Sequence, residues 1–304
     1  MRDLRQAVWK DHPANPLIAP PGREWLLADP TVVTPDQSPD GRFHLFANTL
    51  RGIHHYVSED GIAWDKIGGA LFGGLRAFVF VENGYHLFYE RFVPPNKTVV
   101  AVRSSPDLET WSEPRTVLEP RFHWEGRVLY TNGNPCVVKH DGLYRLYYSA
   151  SWVWLRDCYF IEPKYIGVAE SALLLGPYEK RPDPIIGPSD EVAWRNLGAG
   201  AIRVVPPSKG VPWLAFNNGI YIDPEGRSRS EIHLLESDDG LSWRNVHDGP
   251  ILAPEPGWKN ALVYAMHVCT TKGKTRLYYN ARDGWFRGTE RIGLALAQTK
   301  NAKG

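Results

Sequence analysis

Thirty-five Lys and Arg against thirty-four Asp and Glu leave this 304-residue chain with a formal charge of +1, and the charges are scattered. That distribution argues against a nucleic-acid stripe, and no apolar run approaches the ~20 residues of a membrane span, so neither nucleic acid nor membrane is expected as a partner. The three cysteines, Cys136, Cys158 and Cys269, are far apart and form no Cys-x-x-Cys pair, which argues against a disulfide framework or a structural zinc.

The N-terminal residues lack the apolar stretch of a signal peptide, so a cytoplasmic setting with buried free thiols is expected. Aromatic content is high instead, with 12 Trp, 14 Tyr and 11 Phe among 28 Gly and 25 Pro. This mixture predicts many short strands and tight turns. Trp also stacks on the apolar faces of sugar rings, although most such rings in a β-protein serve packing.

In chain order, five hairpins share one plan: an apolar strand, a Gly turn, then a strand rich in Tyr, Phe and Leu. They cover residues 30–49, 76–92, 135–151, 201–219 and 266–284. A third strand follows each. Three of these lead to a Trp, at Trp64, Trp111 and Trp243, with Tyr178 in the corresponding place of the third unit. A fourth, Pro-bearing strand of edge character comes next, as in Gly249–Pro254. Four strands per unit, repeated five times, predict an all-β, five-bladed β-propeller spanning residues 1–304 as one domain. The fifth unit has its third strand at residues 291–298 and then lacks a fourth. Trp9–Pro20 matches Trp243–Pro254 in register, so the N-terminal segment is expected to supply that strand and close the last blade.

Blade geometry then locates a site. First strands begin, and second strands end, at one mouth of the channel. The first group brings Asp29, Arg76, Asn132, Asn134, the stretch 198–201, Met266 and His267. The second brings Asn48, Glu90, Arg91, Ser149, Ser151, Asn217, Asn218, Asn280, Arg282 and Asp283. Polar groups converging on an otherwise apolar frame suit a carbohydrate ligand. Trp152 is added as a sugar-binding residue.

The segment around "NPLIAP…W…ADPTVV", the S-x-D-G-x-x-W turns and "LYYNARDG…RIGLALA" resemble the five-bladed glycoside hydrolases of families 43, 32, 68, 117 and 130. The resemblance implies that Asp29 is a general base or nucleophile. It places Asn134 where those families carry a second carboxylate, and it finds no acid at the start of blade four. Glu90, Glu125 and Asp283 are candidate replacements, with His267 in a supporting catalytic role. Asp29, Glu90, Glu125 and His267 are therefore the expected catalytic set. Arg76, Arg91 and Arg282 would favour an anionic sugar or a phosphate if they converged.

Three functions follow: a hydrolase acting on a small or anionic glycan, a carbohydrate-binding propeller without catalysis, and a glycoside phosphorylase. No cofactor is required. His267 alone is a poor calcium ligand, so no metal ligands are assigned.

Overall fold

A computed structural model describes residues 3–299. Its regular structure is almost entirely β, with three single-turn 3-10 segments. After β1 (Ala7–Asp11), the chain forms three antiparallel four-stranded sheets in turn. The first holds β2 (Ala28–Val33), β3 (Phe43–Thr49), β4 (Gly52–Ser58) and β5 (Asp65–Phe72). The second holds β6 (Leu75–Val81), β7 (Tyr85–Val93), β8 (Lys97–Ser105) and β9 (Arg115–Leu118). The third holds β10 (Asn132–His140), β11 (Leu143–Leu155), β12 (Phe160–Ser171) and β13 (Glu179–Lys180).

A fourth antiparallel group follows, with β14 (Ile202–Val205), β15 (Trp213–Ile222), β16 (Ser228–Ser237) and β17 (Arg244–Asn245). The last comprises β18 (Leu262–Thr271), β19 (Lys274–Arg282), β20 (Glu290–Thr299) and β1. A single parallel bridge, Ser230 to Leu262, joins these two groups into one eight-stranded sheet.

The N-terminal segment takes the place its sequence match assigned. Trp9 pairs with Ala297, and Ile18 bridges to Ile292. In the fourth group the matching segment does the same work, with Arg244 opposite Glu236 and Leu252 bridged to Ile232. Prolines sit in these outermost segments because an edge needs no further donor.

The Trp positions are wedges between sheets. Trp64 meets Tyr278 edge-on at 5.8 Å, Trp111 meets Phe46 at 5.8 Å, Trp243 meets Tyr147 at 6.4 Å, and Trp9 meets Phe216 at 5.5 Å. In each case the partner lies on the second strand of the preceding sheet. Edge-to-face pairs of this kind add ~0.5–1.5 kcal/mol beyond the area they bury.

The Ser-x-Asp turns beside the wedges repeat as well. Gly61 N–H donates to Ser58 Oγ (2.9 Å) and Ala63 N–H to Asp60 (2.9 Å). Ser105 with Asp107, and Ser237 with Asp239, form the same turn. Two of these turns are latched to a neighbouring sheet. The Tyr278 hydroxyl donates to Gly61 C=O and the Tyr147 hydroxyl to Gly240 C=O, both at 2.9 Å. Each glycine has a positive φ, +77° and +75°, which only a residue without Cβ adopts freely.

The opening strands of the groups lie side by side, β2 beside β6, β6 beside β10, β10 beside β14, β14 beside β18, and β18 back beside β2. Residues far apart in the chain therefore meet where these strands begin. All three cysteines are unpaired.

Candidate active site

At the start of each opening strand one residue adopts a left-handed backbone: Asp29 (φ 56°), Arg76 (53°), Asn134 (46°), Gly200 (60°) and Ala265 (35°). Strand pairing slips at four of these points, between Ala28 and Thr31, Leu75 and Phe78, Gly133 and Cys136, and Tyr264 and Met266. Such a bulge re-aims a side chain out of the ladder.

Left-handed backbone in a non-glycine residue costs ~1–3 kcal/mol and persists only where its surroundings hold it. Here polar residues on the second strands do so. Asp29 N–H donates to Asn280 Oδ1 (3.0 Å), and Arg76 N–H to Asn48 Oδ1 (2.7 Å). Ala201 and Ala265 N–H both donate to Asn218 Oδ1, at 3.1 and 3.3 Å. Ser149 Oγ donates to Gly200 C=O at 2.7 Å.

The result is a cavity of about 340 Å³ at that end of the opening strands. Of the residues singled out from sequence as catalytic or sugar-binding, Asp29, Arg76, Glu90, Asn48, Asn134 and Trp152 line it. Its walls include Trp25, Leu50, Phe92 and Phe160. Arg76 Nη1 donates to Glu90 Oε2 at 2.9 Å. Burial opposes the charge on Arg76, yet Glu90, Asp29 and Glu162 together raise its pKa. Burial lifts the Asp29 carboxyl above its ordinary range, while Arg76 and Arg203 pull it back. Arg203 is itself buried, donating to Pro135 C=O (3.2 Å) and Ile202 C=O (3.1 Å).

Two further carboxylates line the cavity, Glu162 on β12 and Glu290 on β20. Glu290 is bound by Arg282 Nη1 at 3.1 Å. Among the described residues no ion pair or side-chain hydrogen bond reaches Glu162. Burial, with Glu290 and Asp29 nearby, pushes its pKa up to about 8 against the pull of Arg76 and Arg282. Both glutamates sit at or near the start of a third strand. Third strands begin at the mouth where second strands end, so residues there are not reached from the first and second strands alone. The signal is Glu162–Pro163, two residues past the start of β12 and near the tip of the β11–β12 hairpin, which has the longest strands among the described residues.

The remaining candidates lie elsewhere. Glu125 is fully buried under the loop before β10. It accepts Phe122 N–H (2.8 Å) and Asn132 Nδ2 (3.0 Å), and it pairs with Lys180. Burial would raise this carboxyl, but Lys180 and the Arg121 amide hold it below its usual value. Asn132 belongs to the same cluster, accepting Lys180 Nζ at 2.7 Å. Glu125 and Asn132 thus fasten a loop outside the cavity.

His267 lies further along β18 and lines a second hollow with Val32, Thr34 and Cys269. Its Nδ1 is 3.2 Å from the Thr31 hydroxyl. Burial and the nearby Arg203 drop its pKa to about 3, leaving a neutral imidazole. Arg91 donates to Thr116 (3.0 Å). Arg282 stacks between Trp25 (5.0 Å) and Phe160 (4.9 Å) and so stands behind the wall. Asp283 accepts Thr289 N–H and Arg291 Nη1, each at 2.7 Å. Asn217 donates to Ala199 and Ala201 C=O (2.8 Å each), and Asn280 acts through the Asp29 amide. The three arginines therefore do not converge. Among the described residues no group of three or more His, Cys, Asp or Glu side chains is placed to share a metal ion.

No family model and no curated protein matches the chain. Solved structures do. An α-L-arabinofuranosidase from Podospora anserina, determined with cellotriose, superposes with a TM-score of 0.68 at 14% identity, covering 97% of this chain and 98% of the other. An N-acetylgalactosamine deacetylase from F. plautii, in complex with blood group B trisaccharide, gives 0.64 at 14% identity over 95% and 94%. A β-1,2-mannobiose phosphorylase from Listeria innocua gives 0.62 at 14% identity over 95% and 96%. The chain folds as the propeller glycosidases do. At this identity the likeness is one of fold. The site has to be judged on its own residues.

Proposed function

We propose that the protein is a single-domain five-bladed β-propeller that hydrolyses glycosidic bonds in the cavity bounded by Asp29 and Glu162. The cyclic adjacency of the five opening strands supports the blade count. The observation that carries the chemistry is one cavity in which, among the described residues, Asp29 and Glu162 are in no ion pair, while Glu90 and Glu290 are each bound by an arginine. Two carboxyl groups left without a cation in one cavity can share the work of glycoside cleavage, one as acid and the other as base or nucleophile.

In this reading Glu162 donates its proton to the departing glycosidic oxygen. Asp29 either attacks the anomeric carbon, to be released by water in a second step, or takes a proton from the attacking water. Glu90 and Arg76 hold each other beside Asp29 and present hydrogen-bonding groups to sugar hydroxyls. The buried Asn134 Oδ1 has no partner among the described residues and would accept a hydroxyl. Trp25, Trp152 and Phe160 supply apolar surface for a sugar ring. Glu125 and His267 have no chemical step.

Three of the fold relatives are named for carbohydrate chemistry or carbohydrate complexes, which supports a carbohydrate ligand. Phosphorolysis is not favoured, because Arg76 is the single cation among the lining residues and Glu90 occupies it. The test is a screen of aryl glycosides and oligosaccharides with the wild type, Asp29→Asn and Glu162→Gln. The reading expects turnover of at least one glycoside by the wild type, a loss of ~10²–10⁴-fold in Asp29→Asn, and a loss of that size in Glu162→Gln on substrates whose leaving group needs protonation. Wild-type turnover retained in Asp29→Asn would overturn it.

A further inference from the structure

The β11–β12 hairpin does more than carry Glu162. Its strands continue past the cavity to a tip at residues 156–159. Trp152, on the cavity wall, is opposite Pro163, and Trp154 is opposite Ile161. Side chains two apart on a strand share a face, ~6.6–6.8 Å from one another along the chain. Trp154 therefore prolongs outward the line that Trp152 begins.

At the tip Tyr159 meets Trp154 edge-on, with centroids 6.4 Å apart and planes at 89°. Phe286 meets Tyr159 at 5.4 Å and 62°. Phe286 comes from the turn before Glu290, a second segment that ends inside the cavity. These rings are 48%, 66% and 62% exposed, whereas among the wedges between the sheets Trp9 is buried and Trp64, Trp111 and Trp243 are half-buried. Clustered exposed rings mark a binding surface rather than a packing device.

We propose that Trp154, Tyr159 and Phe286 form an outer sugar-binding subsite, taking further units of an oligosaccharide whose cleaved bond lies in the cavity. Two observations select a glycan over a protein or a second copy. The platform is continuous with the cavity on both supporting segments, because Tyr159 directly precedes the wall residue Phe160 and Phe286 lies four residues before Glu290. It consists of rings set edge to face, which leaves flat ring surfaces open to the apolar faces of sugars. The inference rests on the proposed glycosidase reading and narrows its substrate class from a small glycoside to an oligosaccharide.

The experiment compares kcat/KM for the wild type, Trp154→Ala and Tyr159→Ser. The probes are aryl monoglycosides and the disaccharides to hexasaccharides of arabinose, xylose, mannose and galactose. Binding of the same oligosaccharides is followed by NMR titration, and oligomeric state by light scattering. The expected result is a loss of about tenfold or more on the longer oligosaccharides, with aryl monoglycosides changed by less than about twofold.

Equal rates on the longest oligosaccharide, or equal losses on long and short substrates, would overturn the subsite while leaving the glycosidase reading intact. A wild type that dimerises, with Trp154→Ala monomeric and its glycan kinetics unchanged, would assign the platform to a second copy. A wild type that neither cleaves nor binds any of these sugars would overturn both the subsite and the reading beneath it.

Discussion

Replacing Glu162 by Gln removes one titrating proton and almost no volume. In the folded protein the Glu162 carboxyl keeps its proton up to about pH 8, whereas its ordinary value is 4.5. Between those limits the folded state binds a proton that the unfolded chain has released. Unfolding free energy therefore falls as pH rises, and the effect is flat below the lower limit and above the upper one. At ~1.4 kcal/mol per pH unit the whole window amounts to roughly 5 kcal/mol. Glu162→Gln has no such slope, so urea melts across the pH range should show the variant gaining on the wild type up to about pH 8. In kcat/KM the basic limb near pH 8 should disappear, along with most of the rate. Substrates whose leaving group needs no protonation should be spared. Parallel stability curves for the two proteins, or a basic limb that persists in the variant, would refute the assignment of Glu162 as the protonated acid.

Arg76→Met should lower unfolding free energy by ~3–5 kcal/mol, because it leaves the buried Glu90 carboxylate without its 2.9 Å partner. A loss under ~1 kcal/mol in denaturant melts would show that Glu90 finds other compensation. Gly61→Ala should cost ~2–3 kcal/mol, since its Cβ would stand 2.6 Å from the Tyr278 hydroxyl at a positive φ. Gly41→Ala, also at positive φ but with nothing within 4 Å, should cost only ~1 kcal/mol, and equal losses would remove the latch from the account. Glycoside turnover should be unaffected by added inorganic phosphate, and a rate that requires it would convert the hydrolase reading into phosphorolysis.

The strand plan was legible because its signals are local. Gly turns, the Ser-x-Asp pattern and the Trp that follows recur at fixed offsets, and each corresponds to a wedge or capped turn in the structure. The pairing of Trp9 with Ala297 was legible for the same reason, through its match to the segment beginning at Trp243. The cavity was legible in part. Asp29, Arg76 and Asn134 stand at equivalent bulges, and strand direction alone placed them at one mouth. Glu162 and Glu290 are not legible from the first and second strands, because it is the third strands that bring them to the same mouth. Glu125 and His267 carry chemistry-bearing groups, yet their partners Lys180 and Thr31 come from distant segments, and no spacing in the sequence shows that those partners occupy them. Arg91 and Arg282 teach the same lesson: proximity to the mouth in strand order does not fix where a long side chain points.

The most direct measurement is a crystal structure of Asp29→Asn soaked with a glycoside that the wild type cleaves. The account predicts a sugar ring in the cavity between residue 29 and Glu162, with the glycosidic oxygen within hydrogen-bonding distance of the Glu162 carboxyl. A sugar bound in the second hollow beside His267, or one in the cavity whose glycosidic oxygen faces away from Glu162, would contradict it.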